Sequence, residues 1–308
     1  MPFISLFLLV RITDDKFHNF VRFFQSIVDC VDDPKNLEIL VKFDDDQDIS
    51  KALEVIEEFR KKGLEIKHIN TPRGKGFQYL SYFLLDLMFI SNRESKVFVM
   101  QSIDFHYIKK GFDTIMIEAS KKYEDEIFVI HPNLKLSLKS QVTDINQAVQ
   151  NVEAYPFWSR KWIEIQSVFG YNSFMDGYTG LVEYFLLTEY GIDRRIDLSE
   201  HKLVEETDMG GFVDSPYWQG PRRTSMEIHL TPQSISFARQ AAKNLALNIT
   251  NSWKRDDYTN YLAKSCLNVF DENLLMTHVI KTDLKSKKLK TKVKSLLRKL
   301  FFLPKKRK

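Results

Sequence analysis

Several strand-like segments in this 308-residue chain end in residues that could do chemistry. Arg11 follows Phe3 to Val10, and Asp44-Asp45-Asp46-Gln47-Asp48 follows Leu37 to Phe43. Thr71-Pro72-Arg73-Gly74-Lys75-Gly76 comes after Leu64 to Ile69, and Gln101-Ser102-Ile103-Asp104 comes after Lys96 to Met100. Further on, Asp176 stands where a helical pattern begins. Carboxylates accept hydrogen bonds, hold hard cations, or take a proton from a hydroxyl. A guanidinium beside glycines pairs with the oxygens of an anion, because glycine lets the backbone approach closely. Three motifs are missing: Gly-x-Gly-x-x-Gly after the first run, Gly-x-x-x-x-Gly-Lys-Ser/Thr, and Gly-x-Ser-x-Gly. The usual dinucleotide site, the P-loop and the hydrolase elbow therefore fail at their defining residues.

The elements that must position these residues alternate in type. Phe3 to Val10 reads as a strand, Thr13-Asp14-Asp15 as a helix cap, and Phe17, Phe20, Val21, Phe24, Ile27 and Val28 as one helix face. Asp32-Asp33-Pro34 makes a turn. Strands over Leu37–Phe43, Leu64–Ile69 and Lys96–Met100 then alternate with helices over Ile49–Lys62 and Phe77–Phe89. This order predicts an α/β fold with a mostly parallel, Rossmann-like sheet flanked by helices. Ligands of such sheets bind outside the carboxyl ends of the strands, where the charged segments lie. Phe128 to Ile130 is a further strand, Tyr155 to Arg160 leads into a helix, and Phe169-Gly170-Tyr171 turns toward the helix from Asp176 to about Tyr190. Residues 200–235 read as loop and Ser234 to Thr250 as helix.

Composition supports a globular chain, with 44% hydrophobic and 28% charged residues. Two cysteines, Cys30 and Cys266, allow at most one disulfide and argue for a reducing, cytoplasmic setting. The apolar start lacks the basic opening of a signal peptide and is too short to span a bilayer. Charge is unevenly placed: residues 281–308 carry 13 Lys/Arg and one acid, or +12, which leaves residues 1–280 at −8. Leu284, Leu289, Val293, Leu296, Leu297, Leu300 and Phe301 recur among these lysines at near-helical spacing. A basic amphipathic helix of this kind suits an anionic membrane surface, on the inner face of a membrane. Polybasic segments also bind nucleic acid, but no specific nucleic-acid module is present.

The order of these pieces resembles the GT-A-fold, family-2-like glycosyltransferases that use nucleotide sugars. The resemblance covers roughly residues 2–199. It rests on the strand ending in Arg11, the run Leu37 to Phe43 entering Asp44 to Asp46, the loop Arg73 to Gly76, the strand ending at Asp104, Gly111-Phe112-Asp113, Ser159-Arg160, Gly170 and Asp176. It implies a GT-A-like domain over residues 1–200, with a donor half to about 115 and an acceptor half from about 116. Residues 201–280 become a loop and helical extension, and 281–308 the basic tail.

The activity implied is hexosyl transfer, with inversion, from a nucleotide-diphosphate donor to a glycan or glycolipid, as in surface polysaccharide building. Asp44 or Asp45 matches the acid that holds the nucleotide base. Arg73, or Lys75 instead, matches the group near the diphosphate, with Arg11 on the same edge. Asp104 matches the last acid of an Asp-x-Asp motif that holds Mg²⁺ or Mn²⁺, although Ser102 replaces the first. Asp176 matches the general base. Each has a plainer alternative: Asp44 to Asp48 as a solvated turn and cap, Arg73 as a surface turn, Asp104 as a turn residue, Asp176 as a helix N-cap. His106 is either a second metal ligand or a solvated loop histidine, and Trp158 and Trp162 are either sugar platforms or core. The lost acid at position 102 also fits a catalytically inactive relative that binds a nucleotide or glycan.

Overall fold

Strand β1 (Ile4–Val10) forms because Ile4, Leu6, Leu8 and Val10 point to one face and Phe7 to the other, and both faces are covered. The computed structural model describes residues 1–73, 80–133, 145–150, 153, 155–170, 175–206 and 230–249. After β1, a 3₁₀ turn (Asp14–Lys16) leads into helix α1 (Phe17–Cys30). Thr13 opens this turn in an extended conformation without a side-chain capping bond, which corrects the expected helix cap. Then follow β2 (Leu37–Asp44), α2 (Ser50–Lys61), β3 (Glu65–Thr71), α3 (Leu80–Ile90), β4 (Val97–Gln101), β5 (Phe105–Tyr107) and α4 (Phe112–Ser120). The later described elements are β6 (Val129–His131), α5 (Ile145–Gln150), β7 (Phe157–Ser159), α6 (Arg160–Gln166), α7 (Met175–Tyr190), β8 (Arg195–Asp197), β9 (Val204–Glu206) and α8 (Pro232–Ile249).

Seven strands form one sheet in the order β3-β2-β1-β4-β7-β6-β8. β3, β2, β1 and β4 run parallel, β7 is antiparallel to both β4 and β6, and β6 and β8 are parallel. β5 and β9 pair separately and antiparallel. The fold is therefore α/β, with a mostly parallel sheet between helical layers. One layer packs Phe20, Phe24, Ile56, Phe59 and Phe112 against the sheet; the other uses Leu84, Trp162, Leu181, Phe185 and Leu245 from α3, α6, α7 and α8.

Three differences from the sequence expectations concern β5, β7 and β9. All are three residues long, and residues 200–235, expected to be loop, contain both β9 and the start of α8. The basic segment 281–308 and the helix start near Phe77 lie outside the described residues.

The amino-terminal edge of the sheet carries a closed polar cluster. Fully buried Glu38 accepts hydrogen bonds from Ser5 Oγ at 2.6 Å, the Asn92 N–H at 2.7 Å and Lys67 Nζ at 2.8 Å. Arg160 seals the same end by donating to the carbonyls of Ser95 and Asn92 and to Ser91 Oγ, while its guanidinium stacks on Phe98. Every group in this cluster is satisfied from within the fold.

Candidate functional site

The opposite edge is different. The chain runs from β1 out through β2 to β3 and returns to place β4 on the other side of β1, so the topological switch falls between β1 and β4. Open α/β sheets bind ligands in the crevice outside such a point, because the loops from neighbouring strands diverge there. Arg11 and Lys16 follow β1, and Ser102 and Asp104 follow β4.

At the β1 and β2 ends, Arg11 Nη1 lies 3.0 Å from Asp44 Oδ2 and 2.5 Å from Asp46 Oδ1. Lys42, buried like Asp44, pairs with Asp44 Oδ1 from within the strand. Gln47 fastens the two loops together: its Oε1 accepts the Ile12 N–H at 3.0 Å and its Nε2 donates to the Val10 carbonyl at 3.4 Å. Arg11's hydrogen bond holds the Asp46 carboxyl below its ordinary value. Asp48 accepts the Ser50 N–H at 2.9 Å, so it serves the start of α2. The acidic run thus divides. Asp44 is a buried counter-ion, Asp48 an acceptor for the first residue of α2, and Asp45 an exposed side chain at the mouth, its backbone N–H donated to the Thr71 carbonyl at 3.0 Å. Arg73 reaches the same cluster, 3.9 Å from Asp46. Lys75 lies outside the described residues.

At the β4 end, Asp104 is enclosed by donors. Lys16 Nζ lies 3.3 and 3.4 Å from its two oxygens, Asn19 Nδ2 lies 3.1 Å from Oδ1, and Ser102 Oγ lies 3.1 Å from Oδ2. Asn19 is buried in the first turn of α1 and fixes the carboxylate from behind. Gln101, the last residue of β4, is buried with neither its amide oxygen nor its amide nitrogen hydrogen-bonded. Sequence reasoning missed Lys16, Asn19 and Gln101, since one lysine, one asparagine and one glutamine beside apolar runs carry no signal by themselves.

Asp176 occupies the first turn of α7. Its surface is partly exposed, yet protein packs closely around the carboxyl, and this desolvation pushes it up to about 6, against the opposing hydrogen bond from the Gly177 N–H at 2.8 Å. No described hydrogen bond or ion pair joins Asp176 to Asp44 or Asp104.

Other residues singled out in the sequence have structural partners. Trp158 and Trp162 are buried, donating their indole N–H to Thr179 Oγ1 at 3.0 Å and Gln166 Oε1 at 2.9 Å, so neither offers a sugar platform. Asp113 is buried and accepts the backbone N–H groups of Asp32 and Asp33 and the Asn36 side chain. Ser159 caps α6 at the amino-terminal end of β4. His106 sits between Arg22 Nη2 at 3.5 Å and Glu205 at 3.7 Å, and burial pushes its imidazole below the ordinary value.

No protein-family model and no curated protein matches the sequence. Solved structures do. S. aureus TarS 1-349 in complex with UDP-GlcNAc is similar over 92% of this chain and 77% of that one, with TM-score 0.50 and 12% identity. The same fragment in another crystal structure gives TM-score 0.50 and 12% identity over 96% and 79%. This chain has a GT-A-like glycosyltransferase fold. The mannosyltransferase PcManGT from Pyrobaculum calidifontis, in complex with GDP-Man and Mn2+, is more distant at TM-score 0.45 and 10% identity, over 98% and 88%.

Asp104 is the residue for which the sequence leads us to expect a divalent ion, and its described surroundings do not fit one. Lys16 already faces both carboxylate oxygens, and a serine replaces the first acid. Among the described residues, no group of three or more His, Cys, Asp and Glu side chains could hold a metal.

Proposed function

We propose that this protein is a glycosyltransferase that moves a sugar from a nucleoside-diphosphate donor to a hydroxyl of a glycan or glycolipid, with inversion. The observation that carries the reading is the charged constellation outside the β1/β4 switch point: Arg11, Asp45, Asp46 and Arg73 on one side, Lys16 and Asp104 on the other. The fold-level likeness to TarS, whose structure holds UDP-GlcNAc, supports the choice of ligand class.

In this reading Asp45 accepts from the N–H of the base, because Asp44 already faces a cation at each oxygen. Arg11 keeps the acidic loop in place. Arg73 and Lys75 lie toward the diphosphate, where a guanidinium pairs two oxygens at once. Asp176 takes the proton from the acceptor hydroxyl as its oxygen attacks the anomeric carbon on the side opposite the leaving diphosphate. A carboxyl near 6 suits a general base, being ionised at neutral pH and more basic than an ordinary aspartate.

The proposal is tested by a melting series of the full chain with UDP, GDP and CDP, followed by a panel of their sugars scored for hydrolysis and transfer. A ligand that binds only the native state at a hundred times its Kd stabilises by about 2.7 kcal/mol. At least one nucleoside diphosphate should raise the melting temperature, and its sugar should be turned over. No shift from any of the three would overturn the proposal.

A further inference from the structure

We infer that, resting on the glycosyltransferase reading above, Lys16 supplies the positive charge that a divalent ion supplies in an Asp-x-Asp site, so that the donor diphosphate is bound and its leaving charge offset without a metal. Two carboxylates and one divalent cation sum to zero. Here position 102 is a neutral serine, Asp104 contributes one negative charge and Lys16 one positive, so this pair of described residues again sums to zero. The loss of one acid and the exchange of a doubly charged cation for a singly charged one compensate each other.

Geometry supports the same assignment. Lys16 Nζ lies 3.3 and 3.4 Å from the two oxygens of Asp104, facing both as a cation approaching that carboxylate would. An ammonium has three N–H donors, and Asp104 engages two at most, which leaves a donor for a phosphate oxygen. The Lys16 side chain keeps 30% of its surface exposed, so a ligand can reach it, whereas Asp104 keeps 14% and is held by Asn19 and Ser102. Asp104 is thus a positioning residue. It anchors an ammonium that would otherwise swing on a flexible four-carbon stem. A divalent ion entering here would have to displace Lys16 or sit beside it, and like charges within about 4 Å repel strongly where solvent is partly excluded. Gln101 strengthens the case that the β4 end meets a polar ligand, because a buried amide with neither atom paired is costly.

The experiment measures calorimetric affinities of UDP, GDP and CDP for the full chain, once with EDTA and once with Mn²⁺. For the nucleotide that binds, the two affinities should agree within about threefold. Lys16→Met should weaken it about tenfold or more, while Lys16→Arg, which keeps the charge but not the compact ammonium, should weaken it less. Melting temperatures of both variants without ligand report whether they fold, and the EDTA comparison on the unaltered protein stands independently of them. Affinity that rises about tenfold or more with Mn²⁺, or a folded Lys16→Met protein that binds normally, would overturn the inference and leave the glycosyltransferase reading standing. Absence of binding under both conditions would overturn that reading, and this inference with it.

Discussion

Asp176 combines two properties that pull against each other. Its folded carboxyl titrates near 6, above the 3.8 of an unperturbed aspartate, so between these values the folded state holds a proton that the unfolded chain has lost. Stability therefore falls as pH rises through that window, and the full cost, on the order of 3 kcal/mol, is present above about pH 6. Asp176→Asn removes the charge and keeps the size. It should raise stability at neutral pH by up to that amount, read from urea melts, and flatten the pH dependence, while transfer falls by about 10² to 10⁴. A residue serving only as a helix cap would lose little stability and little turnover, because Asn caps a helix about as well as Asp. In the unaltered protein, transfer should decline as pH drops through about 6, where Asp176, the base in our proposal, becomes protonated. The neighbouring aspartates of the β2 loop should also part company. Asp44→Ala strands the buried Lys42 ammonium and should cost about 3–5 kcal/mol in a denaturant melt. Asp45→Ala should leave stability within about 0.5 kcal/mol, as exposed positions do, yet weaken nucleotide affinity. Equal behaviour of the two variants would remove Asp45 from the base site.

At the scale of elements, α7 carries Asp176 and is set by the segment before it. A Cβ added at Gly170 would come within 2.9 Å of the Met175 main chain, which cannot yield as a flexible side chain can, and the Gly170 N–H is already tied to Ser81 Oγ at 3.1 Å. Gly170→Ala should therefore push the first turn of α7 outward. We expect a loss of about 1–3 kcal/mol and a fall in transfer larger than the fall in donor affinity; equal falls would separate α7 from the chemistry. The parallel strands β1 to β4 were legible because β1, β2 and β4 are largely apolar runs and β3, though mixed in polarity, sits between the stop of α2 at Gly63 and the turn at Pro72. The three-residue strands β5, β7 and β9 were not, whereas β6, equally short, was marked by the apolar run Phe128 to Ile130. Three residues show no period, and these segments are extended because a neighbouring strand offers them hydrogen bonds. The site was half legible for the same kind of reason. Asp44 to Asp46 and Arg73 announce themselves by density and position. Lys16 becomes a site residue only when the sheet brings the end of β1 beside the end of β4, and Asp44 turns from ligand holder to counter-ion only when Lys42 is seen beneath it. Trp158 and Trp162 look the same in sequence whether they face a sugar or the core.

At the scale of the whole molecule, charge separates into an acidic body of −8 and a segment of +12 over residues 281–308, which lies outside the described residues. Among the described residues no helix is long and apolar enough to cross a membrane. We propose that the segment holds the protein to an anionic bilayer surface, where a lipid-linked acceptor would be presented. Its lysines would each contribute about 1 kcal/mol near such a surface, and the recurring Leu, Val and Phe positions would add burial of an apolar face. The body's own negative charge opposes its approach to the same lipids, so the segment has to act at a distance and the attraction must depend on ionic strength. Full-length protein should cosediment with phosphatidylglycerol-rich vesicles at low salt and not with phosphatidylcholine vesicles. Raising salt to about 1 M, where the screening length is about 3 Å, should release most of it. Removing residues 281–308 should abolish the binding while leaving nucleoside-diphosphate affinity unchanged, since among the described residues the charged constellation at the sheet edge is built from residues 11 to 104. Equal binding to neutral and anionic vesicles would remove the electrostatic part of this proposal, and failure to bind anionic vesicles at low salt would remove all of it.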